Sequence, residues 1–309
     1  MTPDTPRKTA LDFIANLDRR FVYFLTAVVL LIPIVSKLEF RPPMMLQAEK
    51  LFNYVEDLAK EPNKRVVIIS LDWGPQTAPE LRPATLAFLK HVMYRRLPVV
   101  VVTLLNEAQG FTETVPADAV KMIEETRRSA GLPENEVPVV YGRDWINLGY
   151  QVGFSDAIRG MAGNLVEYVK SDTKRKPLEE YDIMRGVKGA DSFSLMVEVT
   201  GSVGIFPAWL QWFKQTRTMR FALGCTSISV PESYTYLDSG QLVGLFEGIT
   251  GAAAYERLLS ERLGLSPSRD TFQAMTTQMF GQGFIILLVI IGNIAYFMLR
   301  RRKARESTA

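Results

Sequence analysis

Cysteine and histidine are almost absent from this sequence, with one of each in 309 residues. The lone Cys225 cannot close a disulfide within the chain, so no disulfide framework is available and the redox compartment stays open. The lone His91 excludes clustered-histidine zinc sites and any His-x-x-x-His spacing. A Ser-His-Asp or Cys-His arrangement would have to use that one imidazole. His91 falls in the middle of a helical pattern, away from strand exits, which gives it a surface or helix-packing role. Cys225 reads as a small buried hydrophobe. Phosphate-binding glycine loops are missing too. No Gly-x-x-x-x-Gly-Lys-[Ser/Thr] occurs, and the first strand-to-helix turn, DWGPQTAPE, carries a single glycine where a dinucleotide fingerprint needs three. Nicotinamide, flavin and P-loop nucleotide chemistry are disfavoured, and the one cofactor left open is a divalent cation.

A basic footprint is also lacking. The formal net charge is +3, but nine of the 36 Lys and Arg residues lie in 1–20 and 300–306, with only four of the 33 acids (Asp4, Asp12, Asp18, Glu306). The body between them is left with 27 basic against 29 acidic residues. Nucleic-acid binding needs a basic face on the folded domain, so no nucleic-acid partner is expected.

What the chain does have is two long apolar runs. Residues 280–299, FGQGFIILLVIIGNIAYFML, run into RRRKAR and match the roughly 20 residues of a spanning helix. Residues 21–37, FVYFLTAVVLLIPIVSK, follow Arg19-Arg20, and the continuation LEFRPP holds no small-x-small cleavage site, which favours an uncleaved signal anchor. Both basic flanks (1–20 and 300–309) lie on the chain-terminal sides of these segments. The positive-inside bias therefore puts both termini in the cytoplasm and the body, residues 38–279, on the periplasmic, extracellular or lumenal side.

Within the body, 44–60 reads as an amphipathic helix. Five apolar runs then alternate with helical patterns: 65–71, 98–105, 137–142, 193–199 and 220–228. Continuous rather than alternating runs mark strands covered on both faces. The pattern predicts one α/β domain with a doubly wound, mainly parallel five-stranded sheet. The helices between the strands are expected at 79–96, 116–130, 155–170 and 206–215.

In open α/β sheets ligands bind beyond the carboxyl ends of the strands. Two strand ends present an Asp-Trp pair, Asp72-Trp73 and Asp144-Trp145. Together with Glu198 these carboxylates form a candidate ligand or metal edge, since hard cations prefer oxygen ligands. Thr200-Gly201-Ser202 precedes a helix and is a candidate anion loop. Gly244, Gly248 and Gly251 recur at helical spacing in 238–257, which predicts one helix with a flat glycine face for a membrane-protein partner or a second copy. The sequence thus favours a membrane-anchored, non-enzymatic module for complex assembly or ligand recognition. The alternative is a metal-assisted hydrolase or transferase acting on a phosphate- or sugar-containing substrate through Asp72, Asp144 and Glu198.

Overall fold

Apolar runs of five to eight residues become strands here because both faces of the sheet are covered. In a computed structural model, which describes residues 18–61, 66–129, 138–213 and 219–306 with side chains as far as 301, β1 (Val66–Asp72), β2 (Val99–Thr103) and β4 (Phe193–Thr200) are buried at every position. They join β3 (Trp145–Tyr150), β5 (Arg220–Cys225) and β6 (Leu242–Glu247) in one sheet, order β3-β2-β1-β4-β5-β6, with every pairing parallel.

Parallel strands need crossovers, and the helices supply them on both faces. On one face, Val67, Ile69, Leu71, Val99, Val101, Leu195, Val197 and Val199 share a core with α2 (Leu46–Lys60), α3 (Ala78–Tyr94), α4 (Phe111–Ser129) and α8 (Gly248–Leu263). On the other, Ile68, Val100, Val102, Met196 and Leu223 pack with α5 (Ser155–Val169) and α6 (Phe206–Phe213), and α7 (Val230–Asp238) adds partly buried contacts.

Three expectations are corrected. The sheet has six strands, not five. The third strand is not 137–142, of which Val137 lies outside the described residues. Residues 138–144 instead form a turn in which Gly142 takes φ +82° and Asp144 accepts a hydrogen bond from the Val140 amide at 2.7 Å. The strand begins at Trp145. The expected glycine-faced helix over 238–257 is two elements, with Gly244 inside β6 and Gly248 and Gly251 in the first turns of α8.

All three glycines serve contacts within the domain. A Cβ on Gly244 would stand 2.5 Å from Leu51 Cβ and 2.7 Å from the Gln47 carbonyl, so this glycine lets α2 approach β6. Gly248 has φ +61°, the left-handed region that only glycine enters freely. Gly251 lies close against the backbone of Phe246.

The chain divides into two compact units, 42–271 and a second formed by 1–41 with 272–309. The second contains α1 (Arg19–Ser36) and most of α9 (Arg269–Glu306), two helices long and apolar enough to cross a membrane. At 1.5 Å per residue the 18 residues of α1 extend about 27 Å, close to the thickness of a hydrocarbon core. Polar groups inside these helices bond to their own backbone: Thr26 Oγ1 donates to the Val22 carbonyl at 2.8 Å and Asn293 Nδ2 to Val289 at 2.9 Å. Such bonds to the preceding turn lower the cost of a polar side chain in an apolar helix. Phe40 stacks on Phe280 at 5.9 Å and Gln273 Nε2 donates to the Ile34 carbonyl at 3.2 Å, so the two helices touch near their body-side ends. Arg7 and Lys8 lie outside the described residues, as do the side chains from 302 onward.

Candidate functional site

In the order β3-β2-β1-β4-β5-β6 the central neighbours β1 and β4 are not consecutive in the chain, and the carboxyl ends of such a central pair are where open α/β sheets bind ligands. The register there pairs Ser70 with Glu198 and Asp72 with Thr200. Side chains two apart on a strand share a face. Ser70, Asp72, Glu198 and Thr200 therefore continue the face of Ile68 and Met196, the side that α5 and α6 cover.

Asp72 and Glu198 are both fully buried but solvated by the protein in opposite ways. Asp72 accepts from Ser70 Oγ at 2.5 Å, from the Leu104 amide at 2.7 Å and from Thr103 Oγ1 at 3.4 Å. Burial still pushes its carboxyl up to about 6, with those three bonds pulling the other way. Both carboxyl oxygens of Glu198 are without a hydrogen-bond partner among the described residues. Burial first, and then the charge of Asp72, raises its pKa well above the ordinary carboxylate range. A buried ionised carboxylate without donors is costly, so of the two it is Asp72, with three donors, that ionises first.

Asp144 does not join them. It precedes β3 instead of following it, so it sits at the amino end of the sheet, where Arg96 (3.3 Å) and Arg143 (2.7 Å) pair with it and the Val140 amide bonds to it. Although burial opposes them, these contacts hold its carboxyl below the usual range. It fastens a turn. Among the described residues no three of His, Cys, Asp and Glu form a group able to hold a metal ion.

The Thr200-Gly201-Ser202 segment is folded on itself. The Gly201 amide donates to the Asp72 carbonyl at 3.2 Å, the Ser202 amide to Thr200 Oγ1 at 3.2 Å, and Thr200 Oγ1 in turn to the Ser202 carbonyl at 2.6 Å. Its neighbours are hydroxyls and carboxylates. Thr226 Oγ1 donates to the Gly201 carbonyl at 3.3 Å, and Glu80 accepts from the amide and hydroxyl of Ser227. Tyr234 donates to Glu247 at 2.5 Å.

The sign of the charge is uniform along this edge. The segments that follow the strands, 73–77, 104–110, 151–154, 201–205 and 226–229, contain no Lys or Arg, while Glu80, Glu107, Asp156, Glu232 and Glu247 stand in or next to them. At the strand beginnings the balance reverses, with Arg96, Arg143 and Arg220. An edge of this composition repels anions and attracts cations.

Cys225, at the end of β5, is fully buried, and burial pushes its thiol up to about 11 despite a 3.2 Å contact with Ser233 Oγ. It is packed as a small hydrophobe and carries no thiolate at neutral pH. His91 is buried, not superficial. Glu56 can only accept, so Nε2 donates to its Oε1 (2.7 Å) and Nδ1 accepts from Tyr255 Oη (2.7 Å), a single tautomer of a ring that burial keeps neutral. Next to it, Lys90 and Glu256 form a fully buried pair at 2.7 Å that nothing in the apolar pattern of 79–96 announces.

No family model matches this chain, and neither a curated relative nor a solved structure aligns with it.

Proposed function

We propose that this chain is a membrane-anchored recognition module rather than an enzyme. Its α1 and α9 cross the bilayer, and a doubly wound α/β domain lies on the side away from the cytoplasm. That domain takes a small cation, a divalent metal ion or a protonated amine, at the carboxyl ends of β1 and β4. The observation that carries this reading is Glu198, a fully buried carboxyl with no partner, next to Asp72 at the switch point of an edge without Lys or Arg. A cation arriving there would replace the proton of Glu198 and share the charge of Asp72. The positive residues beyond both apolar helices support the orientation. Two neighbouring carboxylates with, among the described residues, no third ligand grouped with them to hold a metal give little to activate a water molecule, so binding is favoured over hydrolysis. Assembly with another membrane protein is compatible with the same anchoring.

The test uses the full chain in detergent micelles. Thermal melting is followed with Mg²⁺, Ca²⁺ or Mn²⁺ in one arm and with spermidine in the other. Stabilisation in either arm, lost in Glu198→Gln, is expected and tells metal from amine; no response in either arm overturns the cation site. Orientation is read separately, from protease protection of the 42–271 domain in sealed vesicles.

A further inference from the structure

The domain carries a second polar feature, beside a break in α5. α5 is broken at Asn164, whose φ −151° and ψ 97° are not helical. The sequence Asn164-Leu-Val-Glu167 explains the break: Asn164 Oδ1 accepts from the Glu167 amide at 3.3 Å and Nδ2 donates to Glu167 Oε2 at 3.1 Å, so Asn164 caps a new helical segment. The Leu165 amide, released from its helical partner, bonds to the Lys188 carbonyl at 2.6 Å and draws the 186–192 loop against the break. Gly189 is required there, because a Cβ would collide with the carbonyls of Ala162 and Gly163.

Between this loop, α5 and α6 lies a bowl of about 600 Å³ whose floor is largely glycine backbone and whose polar rim is Arg159, Lys188, Ser192 and Asp191, with Trp212 as its wall. Arg159 is preorganised. Its guanidinium lies 5.6 Å from the centre of the Trp212 ring, and Trp212 is itself fixed by Nε1 donating to Ser155 Oγ at 3.3 Å. One terminal nitrogen of Arg159 faces Asp156 at 3.2 Å, which leaves the other guanidinium N–H groups to point elsewhere. Among the described residues neither Lys188 nor Asp191 is engaged in an ion pair. Ser192 Oγ accepts from the Lys188 amide at 3.0 Å, so its hydroxyl hydrogen is available to a ligand.

We infer that this bowl binds a small molecule bearing an oxyanion and a flat apolar body. Arg159, Lys188 and Ser192 donate to the oxyanion, Trp212 flanks the body, and Asp191 limits the negative charge the site accepts. A stacked guanidinium with free N–H groups matches the planar pair of acceptors on a carboxylate or phosphate, and a nearby ammonium adds charge without demanding direction. The volume suits a ligand of a few rings or fewer. This site shares no lining residue with the Asp72–Glu198 pair.

Phenyl phosphate, benzoate and uncharged phenol serve as probes of the full chain in detergent, by calorimetry and tryptophan fluorescence. Saturable binding of phenyl phosphate or benzoate with phenol inert is the expected result, and the tighter of the two anions identifies phosphate or carboxylate as the natural group. Arg159→Gln and Lys188→Gln, both at exposed positions, should each weaken binding about tenfold at unchanged melting temperature, while Asp191→Asn strengthens it and Glu198→Gln leaves it unchanged. The inference is overturned if phenol binds as well as the anions, if no anion saturates by about 10 mM, or if both Gln variants bind like the wild type.

Discussion

Asp72 and Glu198 stand on neighbouring strands and on the same face of the sheet, two ladder positions apart, and only one of them is supplied with hydrogen bonds. Both have folded-state pKa values above the ordinary carboxylate range. For an acid this means that the native state holds protons the unfolded chain has already released. Stability from this pair is therefore greatest below about pH 4 and falls as pH rises through about 6 and beyond. Glu198→Gln removes the ionisable group and keeps the shape. It should raise the melting temperature at about pH 8 and leave it nearly unchanged at about pH 4.5. Equal shifts at both values would mean that Glu198 is charged and paired.

The same protons compete with the proposed ligand. Cation binding at this edge should tighten as pH rises from about 5.5 to about 8, because both carboxyls must give up their protons to it. A pH-independent Kd from calorimetry would remove Glu198 from the site.

Glu56 behaves in the opposite sense. Hydrogen bonding from His91 first, with a bidentate contact from Arg95 at 2.7 and 2.6 Å, holds its carboxyl down to about 2. Its contribution is complete above about 4.5 and is lost as pH falls toward 2. Glu56→Gln should flatten the acid limb of the stability curve, measured by denaturant unfolding between these limits.

Lys90 and Glu256 offer a double-mutant test. Leaving one charge buried alone costs about 3–5 kcal/mol, whereas replacing both by apolar residues of similar size is often close to neutral. Lys90→Met and Glu256→Leu should each destabilise severely, and the double variant should recover most of the loss in denaturant midpoint. Additive losses would show that the two groups act independently.

Gly248→Ala probes the left-handed turn between β6 and α8. A Cβ there would meet Ser227 Oγ and Glu80 Oε1, and φ +61° adds about 1–2 kcal/mol for a residue with a side chain. A drop of at least that size is expected. Gly264→Ala, also in the left-handed region but with open space around it, should cost only the backbone part.

Much of the architecture was written in the apolar runs. Residues 66–72, 99–103, 193–200 and 220–225 are strands whose Val, Ile, Leu and Phe supply the cores on both faces of the sheet. The run at 138–142 has the same composition but is consumed by a turn, since Asp144 caps it and Gly142 bends it. The true strand, WINLGY, carries Asn147 and Gly149 in its interior and so lacks a continuous run. LVGLFE was hidden for a related reason: Gly244 and Gly248 suggested a helix face, but the first makes room for α2 and the second for a turn. Of the candidate carboxylates, Asp72 and Glu198 were placed together by strand register alone. Asp144 reads as a strand exit only when 137–142 is taken for the third strand; it precedes the strand that forms, and so lies at the other end of the sheet. Lys90 and Glu256 were illegible, since a helix pattern shows which face is apolar and not which charge will find a partner 166 residues away.

The Lys90–Glu256 pair reaches beyond its own two helices. Lys90 Nζ also donates to the Ser266 carbonyl at 3.1 Å, and the Ser268 amide donates to Glu256 Oε2 at 3.3 Å. Residues 264–268 are thus latched at the point where the chain leaves the domain core and α9 begins at Arg269. The linker between α8 and α9 is thus fastened by bonds whose charged partners are fully buried, so added salt should do little to loosen it.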